Sequence, residues 1–371
     1  MISGIKFWYH PLIGGTGIQG LIETYCNISF QEFNKDYVNP KDKNIIIFFW
    51  ETSVSINLEH KTNTDSFLNL LDDLNKLGFY FLADYSTEAN DFIDEERIIF
   101  LNKLKNINLN FNRFFLVTNA SSKPRTIQYG YHQIKHLYFP HFILATPLKM
   151  KEYITDLSEY NDITPTKDFL CLNRRVHIHK FNFVNRLSER GLLPYTNLSL
   201  VANKTNPNLM RNSSLVKELN IDVDNFQSIQ LEDDVMYGAE LDTADQHLYT
   251  INPKWYYDSK VNIVIETNHG NSPTHITEKT IKPIYLKRPF VIYGTKMHLN
   301  QLQNFGFTTF DDLIGEYDCT DIDSVINAAI KLSFIYNHDN IKRSCEWNYE
   351  NLIKSNRMID ILENHFLSKI H

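Results

Sequence analysis

The order in which short apolar runs and amphipathic segments follow one another constrains the fold of this chain more than any other feature. Asn44 to Trp50 (NIIIFFW) is a continuous apolar run of strand length. Asp65 to Leu77 then carries apolar side chains at helical spacing and ends before Gly78. Apolar strands that alternate with amphipathic helices are typical of sheets buried on both faces. The pattern therefore predicts an α/β fold with parallel sheets.

The alternation runs through both halves of the chain and restarts after the polar stretch from Ser158 to Lys167. Before this stretch we predict strands and one helix, in the order Phe79–Ala83, Asp91–Leu104 (helix), Arg113–Val117 and His141–Ala145. After it we predict strands at Asp168–Leu172, Val261–Ile265 and Pro289–Tyr293, an extended segment at Phe307–Phe310, and helices at Lys180–Arg190, Thr277–Leu286, Lys296–Asn304 and Ile341–Phe366. We expect two Rossmann-like domains facing a cleft, 1–160 and 166–340, and a C-terminal helix, 341–371, that crosses back.

Composition argues against several classes of protein. The 371 residues carry 37 Lys and Arg against 44 Asp and Glu, and a net charge of −7 removes the overall attraction that sequence-independent nucleic-acid binders use. No run reaches the roughly 18 apolar residues that a membrane helix needs, and Met1 to Phe7 lacks a signal-peptide pattern. The four cysteines form no CxxC pair, which argues against a disulfide framework or a zinc ribbon. We expect a cytoplasmic protein without a membrane span.

Polar residues follow the predicted strands of the second half, where ligands of open parallel sheets bind. They are Asn173, Arg174 and Arg175 after one strand, Glu266, Thr267 and Asn268 after another, and Thr277, Glu278 and Lys279 at the next helix start. Guanidinium and ammonium groups beside a helix N-terminus suit a diphosphate, and a carboxylate suits a ribose diol. Taken singly, the same residues also suit a capped helix start and solvated surface charge. Together they predict a site for a nucleotide diphosphate.

Other nucleotide and metal motifs are missing from the sequence. There is no GxxxxGK[ST] and no GxGxxG after a first strand. The segment from Ile13 to Gly17 could bring its backbone, at Gly15, close to donor phosphate or acceptor, and could equally be a turn. Asp321 and Asp323 form a DxD at the start of a predicted helix, which favours N-capping over metal binding. We expect no metal.

The stretch from Tyr256 to Gly294 resembles the donor-binding region of the α1,3/1,4-fucosyltransferases, an inverting, metal-independent group with the GT-B fold. That family has a strand ending in Glu-Asn, an Ile-Thr-Glu-Lys helix start and a Val-Pro-Val-Val-x-Gly strand. The matching positions are Lys260, Glu266, Asn268, Ile276, Thr277, Glu278, Lys279, Pro289 and Gly294. The upstream segment LCLNRRVHIHKFNFVNRL is similar to the family's Ser-Asn-Cys stretch through Asn173, Arg174, Arg175, His179 and Lys180. The resemblance covers 169–310.

The chain departs from the family pattern at a few positions. Thr267 separates Glu266 from Asn268, which are adjacent in the family, and Lys287 and Arg288 replace small residues before the Pro-containing strand. Pro283 lies inside the predicted helix, where it removes a hydrogen bond and predicts a kink.

The resemblance implies an inverting glycosyltransferase that moves a hexosyl, fucosyl or pentosyl group from a nucleotide-diphosphate sugar to an acceptor hydroxyl. It implies that Glu278 holds the ribose, that Lys279 and Arg174 or Arg175 neutralise the diphosphate, and that Glu266 and Asn268 face the sugar. The nucleotide sugar is a co-substrate, and no cofactor is expected.

Inversion also needs a base that takes the proton of the acceptor hydroxyl. The first half offers three candidates at strand ends or nearby: Glu51 first, Asp84 second and His10 third. Each of them could instead cap a helix or carry loop charge.

Two other functions remain open from the sequence. Viral and bacterial transferases with this donor module act on different acceptors, so the acceptor could be a saccharide or a hydroxymethylated base of phage DNA, the latter if Lys123, Arg125 and Lys135 form one basic face. The chain could also be a non-catalytic module of the same fold that binds a nucleotide sugar.

Overall fold

The computed structural model of the chain falls into two compact units, Met1–His141 with Ser355–His371, and Phe142–Lys354. The polar stretch 158–167, at which the sequence suggested a domain boundary, lies inside the second unit. The structure describes residues 5–9, 17–26, 29–39, 41–49, 61–85, 95–119, 126–129, 132–154, 157–160, 162–173, 177–201, 213–220, 228–229, 251–354, 359–360, 363 and 368.

A seven-stranded sheet forms the centre of the first unit, in the order β2-β1-β3-β4-β5-β7-β6. All neighbouring strands are parallel except β6, which pairs antiparallel with β7. The strands are β1 (Ile5–Tyr9), β2 (Gln31–Glu32), β3 (Lys43–Phe49), β4 (Tyr80–Tyr85), β5 (Phe114–Thr118), β6 (Thr126–Tyr129) and β7 (His132–Tyr138). The helices are α1 (Gly17–Cys26), α2 (Lys61–Lys76) and α3 (Glu95–Asn106), and α4 (His141–Tyr153) begins at the boundary.

The apolar stripes of α2 and α3 cover one face of this sheet. Phe67, Leu71 and Leu74 of α2 and Leu101 and Leu104 of α3 share one core cluster with side chains of β3, β4 and β5. Ile45, Leu82 and Val117, which point to the opposite face of the sheet, are buried as well. Burial on both faces explains why those strands are continuous apolar runs in the sequence. The α/β architecture is therefore that predicted from the alternation of elements.

A five-stranded sheet forms the second unit, in the order β10-β9-β8-β11-β12. Strands β9, β8, β11 and β12 are parallel, and β10 pairs antiparallel with β9. The strands are β8 (Lys167–Asn173), β9 (Thr196–Val201), β10 (Ser228–Ile229), β11 (Ser259–Gly270) and β12 (Phe290–Thr295). The helices are α5 (Ile178–Glu189), α6 (Ser214–Glu218), α7 (Pro253–Tyr257), α8 (Glu278–Tyr285), α9 (His298–Asn304), α10 (Asp311–Ile314), α11 (Ile322–Phe334) and α12 (Asp339–Ile353).

Four predicted elements differ from the structure. The C-terminal helix predicted from Ile341 to Phe366 begins at Asp339 and ends at Ile353, because the backbone is extended at Lys354. The segment His141–Ala145 is the start of α4 and not a strand, because a short apolar run without flanking polar alternation fits a buried helix equally well. The segment Phe307–Phe310, predicted to be extended, belongs to no strand, and its last residue, Phe310, has a left-handed backbone with φ +66°. Strand β11 does not end at Ile265 but continues to Gly270, so polar residues that we expected beyond the strand lie within it.

Candidate functional site

The strand order of the second sheet reverses between β8 and β11: β9 is added on one side of β8, whereas β11 and then β12 are added on the other side. Such a switch point opens a crevice at the carboxyl ends of the strands, where ligands of open α/β sheets bind. Asn173 ends β8, the polar part of β11 lies next to it, and α8 begins at Glu278. The structure therefore brings together three of the segments that the sequence singled out.

Glu266 is fully buried in β11 and anchors the first turn of α8. Its Oε1 accepts hydrogen bonds from the backbone N–H of Thr277 at 3.2 Å and from Oγ1 of Thr280 at 2.6 Å. Its Oε2 accepts a bond from Oγ1 of Thr277 at 2.6 Å. The carboxylate of Glu266 is thus committed to the helix start, and its expected contact with the donor sugar stays a prediction that this geometry does not support.

The charge of Glu266 is maintained by its neighbours. Burial alone would raise the pKa of this carboxyl. Lys279 and His298, together with the threonine hydrogen bonds, outweigh burial and hold the pKa below its ordinary value. Glu266 is therefore a buried anion throughout the neutral pH range.

Thr277 is the N-cap of α8, as the sequence suggested, and Lys279 is fixed against it. The side-chain oxygen of Thr277 accepts from the backbone N–H of Lys279 at 3.3 Å and from its Nζ at 3.3 Å. The same Nζ donates to Oγ1 of Thr267 at 3.4 Å and lies 3.2 Å from Oε1 of Glu278. The Lys279 side chain is still 24% exposed, so its ammonium is both oriented and accessible to a ligand.

Two other predicted donor residues have defined surroundings. The Glu278 side chain is 9% exposed and its carboxylate pairs with Lys279. Asn268 donates from Nδ2 to the carbonyl oxygen of Pro273 at 3.0 Å and so closes the turn that leads from β11 towards α8. The amide of Asn268 thus has a structural role, and its expected contact with the sugar finds no support in this geometry.

Lys180 is a functional candidate that was not among the predicted donor-binding residues. It lies in the first turn of α5 and is only 2% exposed. Among the residues that the structure describes, no hydrogen bond or ion pair reaches its ammonium. Burial, reinforced by the charge of Lys279, lowers the pKa of Lys180 to about 8, against the opposing effect of Glu266 and Glu278. A lysine on the apolar stripe of α5, with Phe183 and Val184 one turn away, is the sequence signal that could have identified it.

Several histidines lie near Glu266 and the start of α8. His177, His179 and His269 are stacked nearly parallel, with ring centroids 5.8 and 4.6 Å apart, and Nε2 of His179 lies 3.0 Å from the carbonyl oxygen of Glu266. Burial lowers the pKa of His179 to about 4 and that of His275 to about 4 as well. These two rings are therefore neutral at physiological pH.

Asp84, the second candidate for the base, lies in β4 of the first unit and not after it. It is 1% exposed, and its Oδ2 accepts a hydrogen bond from the backbone N–H of Ile18 in the first turn of α1 at 3.4 Å. This contact fits the alternative reading of Asp84 as a carboxylate at a helix start.

Several other predicted residues lie outside the described residues: His10, Gly15, Glu51, Lys123, Arg125, Arg174 and Arg175. Lys135 of the proposed basic face is described, and it donates to the carbonyl oxygen of Asn112 at 2.8 Å. Asp321 caps α11 by accepting from the N–H of Ser324 at 2.7 Å, which confirms the N-cap prediction. The described ranges contain no cluster of three or more His, Cys, Asp or Glu that could hold a metal ion.

No helix within the described part of the chain is long and apolar enough to cross a membrane. No protein-family model and no curated protein sequence matches this chain.

Proposed function

We propose that the chain is an inverting, metal-independent glycosyltransferase that uses a nucleotide-diphosphate sugar as donor. The observation that carries this proposal is the buried Lys180 ammonium, which has no hydrogen bond or ion pair within the described residues and is close enough to the oriented Lys279 for the two charges to repel each other. Both lysines lie at the carboxyl edge of the second sheet, beside the N-terminus of α8. The class of ligand that fits two ammonium groups and a positive helix end is a diphosphate.

Energetics support a ligand role for Lys180. An unpaired buried charge costs several kcal/mol, so it is retained in folded proteins chiefly where it serves a function. A bound anion supplies the missing partner and favours the charged form of the lysine. Lys180 thus has the property expected of a residue that is completed by its substrate.

The proposed reaction assigns a role to each group. A base takes the proton of the acceptor hydroxyl, the acceptor oxygen bonds to the anomeric carbon, and the bond from that carbon to the diphosphate breaks. The nucleoside diphosphate leaves with the electron pair, and Lys180 and Lys279 stabilise its charge. Glu278 accepts hydrogen bonds from the ribose, and Arg174 or Arg175 adds a third cation, as the resemblance to fucosyltransferases implies.

Glu51 is the base in this proposal, because Asp84 is engaged by the N–H of Ile18. The transferred sugar belongs to the hexosyl, fucosyl or pentosyl class, and the acceptor is a saccharide or a modified base.

The test compares Lys180→Met with Lys342→Met, a matched change on the exposed side of α12. Lys180→Met should weaken binding of a nucleoside diphosphate roughly 10- to 100-fold, since charge-assisted bonds contribute about 1.5–3 kcal/mol. The same change should raise the melting temperature, because it removes an unpaired buried charge. Lys342→Met should change neither quantity.

Calorimetry with a panel of nucleoside diphosphates measures the binding, and slow hydrolysis of nucleotide sugars measures turnover. Binding without hydrolysis or transfer would favour the non-catalytic module. Unchanged binding in Lys180→Met would refute the diphosphate site.

A further inference from the structure

We propose that Glu266 is a positioning residue for the two lysines: its carboxylate orients Lys279 through Thr277, and its negative charge keeps Lys180 in the ammonium form. The inference rests on the proposed function only in naming the diphosphate as the anion. Three separate observations on this carboxylate support it: its hydrogen bonds to the first turn of α8, its bond to the hydroxyl of Thr277 that in turn contacts Lys279, and its buried charge.

The relay runs through one hydroxyl group. A carboxylate can only accept hydrogen bonds, so Oγ1 of Thr277 must donate its proton to Oε2 of Glu266 at 2.6 Å. The lone pairs of Oγ1 are then available to Lys279, whose N–H and Nζ both lie 3.3 Å away. An amide at position 266 could reverse this polarity by donating to Oγ1. Glu266 therefore determines which way the hydroxyl points and how well it holds the Lys279 ammonium.

The second part concerns the charges that face Lys180. Among the residues that the structure describes, they are Lys279 and Glu278 from α8, Glu266 from β11, Cys171 from β8 and His179 from α5 itself. Burial raises the pKa of Cys171 to about 12, and burial lowers that of His179 to about 4, so both are neutral near pH 7.

Of the two carboxylates, Glu278 pairs directly with Lys279 at 3.2 Å. Within the described ranges Glu266 has no ion pair with a lysine, and its full burial shields its charge from solvent. His179, the residue before Lys180, lies with Nε2 3.0 Å from the carbonyl oxygen of Glu266, so the first turn of α5 contacts β11 at Glu266. A buried charge is screened far less than an exposed one, so Glu266, ahead of Glu278, offsets the desolvation of Lys180.

The experiment measures anion binding against pH, with inorganic pyrophosphate as the probe. Calorimetry from about pH 6.5 to 9.5 should show that binding weakens as Lys180 loses its proton. In Glu266→Gln the midpoint of this loss should move down by about one pH unit, the size expected for losing one buried neighbouring charge. A merely structural role would lower affinity at every pH without moving the midpoint.

Thr280→Val is the matched control, because it removes one bond to the same carboxylate and keeps the charge. It should lower the melting temperature and leave the midpoint in place. Thr277→Val breaks the relay and should weaken binding at every pH, again with an unchanged midpoint. An unmoved midpoint in Glu266→Gln, or an equal movement in Thr280→Val, would overturn the proposal.

A measurement without ligand separates this inference from the proposed function. Nuclear magnetic resonance of lysine labelled with ¹³C at Cε, assigned with Lys180→Met, follows the titration of the buried Lys180 directly. Failure of the wild type to bind pyrophosphate would count against the diphosphate site, whereas the resonance midpoints of wild type and Glu266→Gln would still decide the role of Glu266.

If Glu266→Gln does not fold, Glu266→Asp takes its place, since it keeps the charge and shortens the reach to α8. The resonance midpoint should then stay near that of the wild type while the melting temperature falls. A downward movement of about one pH unit would refute the charge effect.

Discussion

The Nε2 atom of His298 lies 3.8 Å from Oε1 of Glu266, and neither side chain is exposed to solvent. Burial lowers the pKa of His298 even though the Glu266 charge opposes this, so the ring is neutral near pH 7. No hydrogen bond reaches either ring nitrogen from the described part of the chain. The ring fits only because residue 294 is glycine, since a Cβ there would lie 2.9 Å from Nδ1 of His298. Gly294 of β12 thus leaves the space that lets His298 of α9 pack beside the Glu266 carboxylate of β11.

The fit between Gly294 and His298 can be tested by Gly294→Ala. The added methyl group would lie 2.9 Å from a fully buried ring, closer than Cβ atoms approach other atoms, so we expect a loss of about 1–3 kcal/mol in the free energy of unfolding. Gly20→Ala is the control, because nothing lies within 4 Å of its added Cβ and the residue is inside α1. It should be neutral or stabilise by roughly 0.5–1 kcal/mol. Urea unfolding of the three proteins gives both values, and equal stability of the two variants would contradict this packing.

Buried neutral histidines predict that acid destabilises the protein. The pKa of His179 and that of His275 are each lowered by burial to about 4 from 6.5. Between these values the unfolded chain binds more protons than the folded one, so the free energy of unfolding falls as the pH drops from about 6.5 to 4. Each group contributes on the order of 3 kcal/mol over this window. Urea unfolding across the window should show a smaller slope in His275→Gln than in the wild type, and an unchanged slope would show that His275 is not the source.

The sequence predicts the elements of this fold where burial alone decides them. The apolar runs of β3, β5 and β8 and the stripe of α2, with Gly78 after it at φ +82°, are local signals. The end of β11 cannot be predicted from local sequence, because Glu266 interrupts the apolar run. Its charge is stabilised by groups that come 11 to 32 residues later, namely Thr277, Lys279, Thr280 and His298. A single sequence cannot show that such partners meet.

The candidate site also contains residues that local sequence predicts and residues that depend on tertiary packing. Thr277, Glu278 and Lys279 form a recognisable helix start, so their position at the sheet edge could be anticipated from the sequence. Lys180 was not predicted as a donor residue, because its significance lies in its burial and in the lack of a partner among the described residues. Both properties arise from how α5 packs on the sheet.

Glu278→Ala should separate ribose recognition from diphosphate recognition. If Glu278 accepts the ribose hydroxyls, its loss weakens binding of a nucleoside diphosphate by roughly 10-fold or more, the value of a charged hydrogen bond. Pyrophosphate has no ribose, so its affinity should not fall, and removal of a carboxylate 3.2 Å from Lys279 could only favour the anion. Calorimetry with both ligands tests this. Parallel losses for the two ligands would place Glu278 in the helix start alone.

The final prediction concerns the metal and the base. Two lysines and a helix N-terminus can stabilise the leaving diphosphate, so turnover should survive EDTA. The proposal assigns the base to a carboxylate of the first unit. Glu51→Gln should therefore lower the rate of transfer by about 100- to 10,000-fold while nucleotide binding persists. Asp84→Asn is the matched control: an amide can still accept from the N–H of Ile18, so transfer should be retained. Inactivation by EDTA that a metal ion reverses would contradict the metal-independent mechanism. Full activity of Glu51→Gln with loss in Asp84→Asn would make Asp84 the base, and full activity of both would leave His10 as the next residue to change.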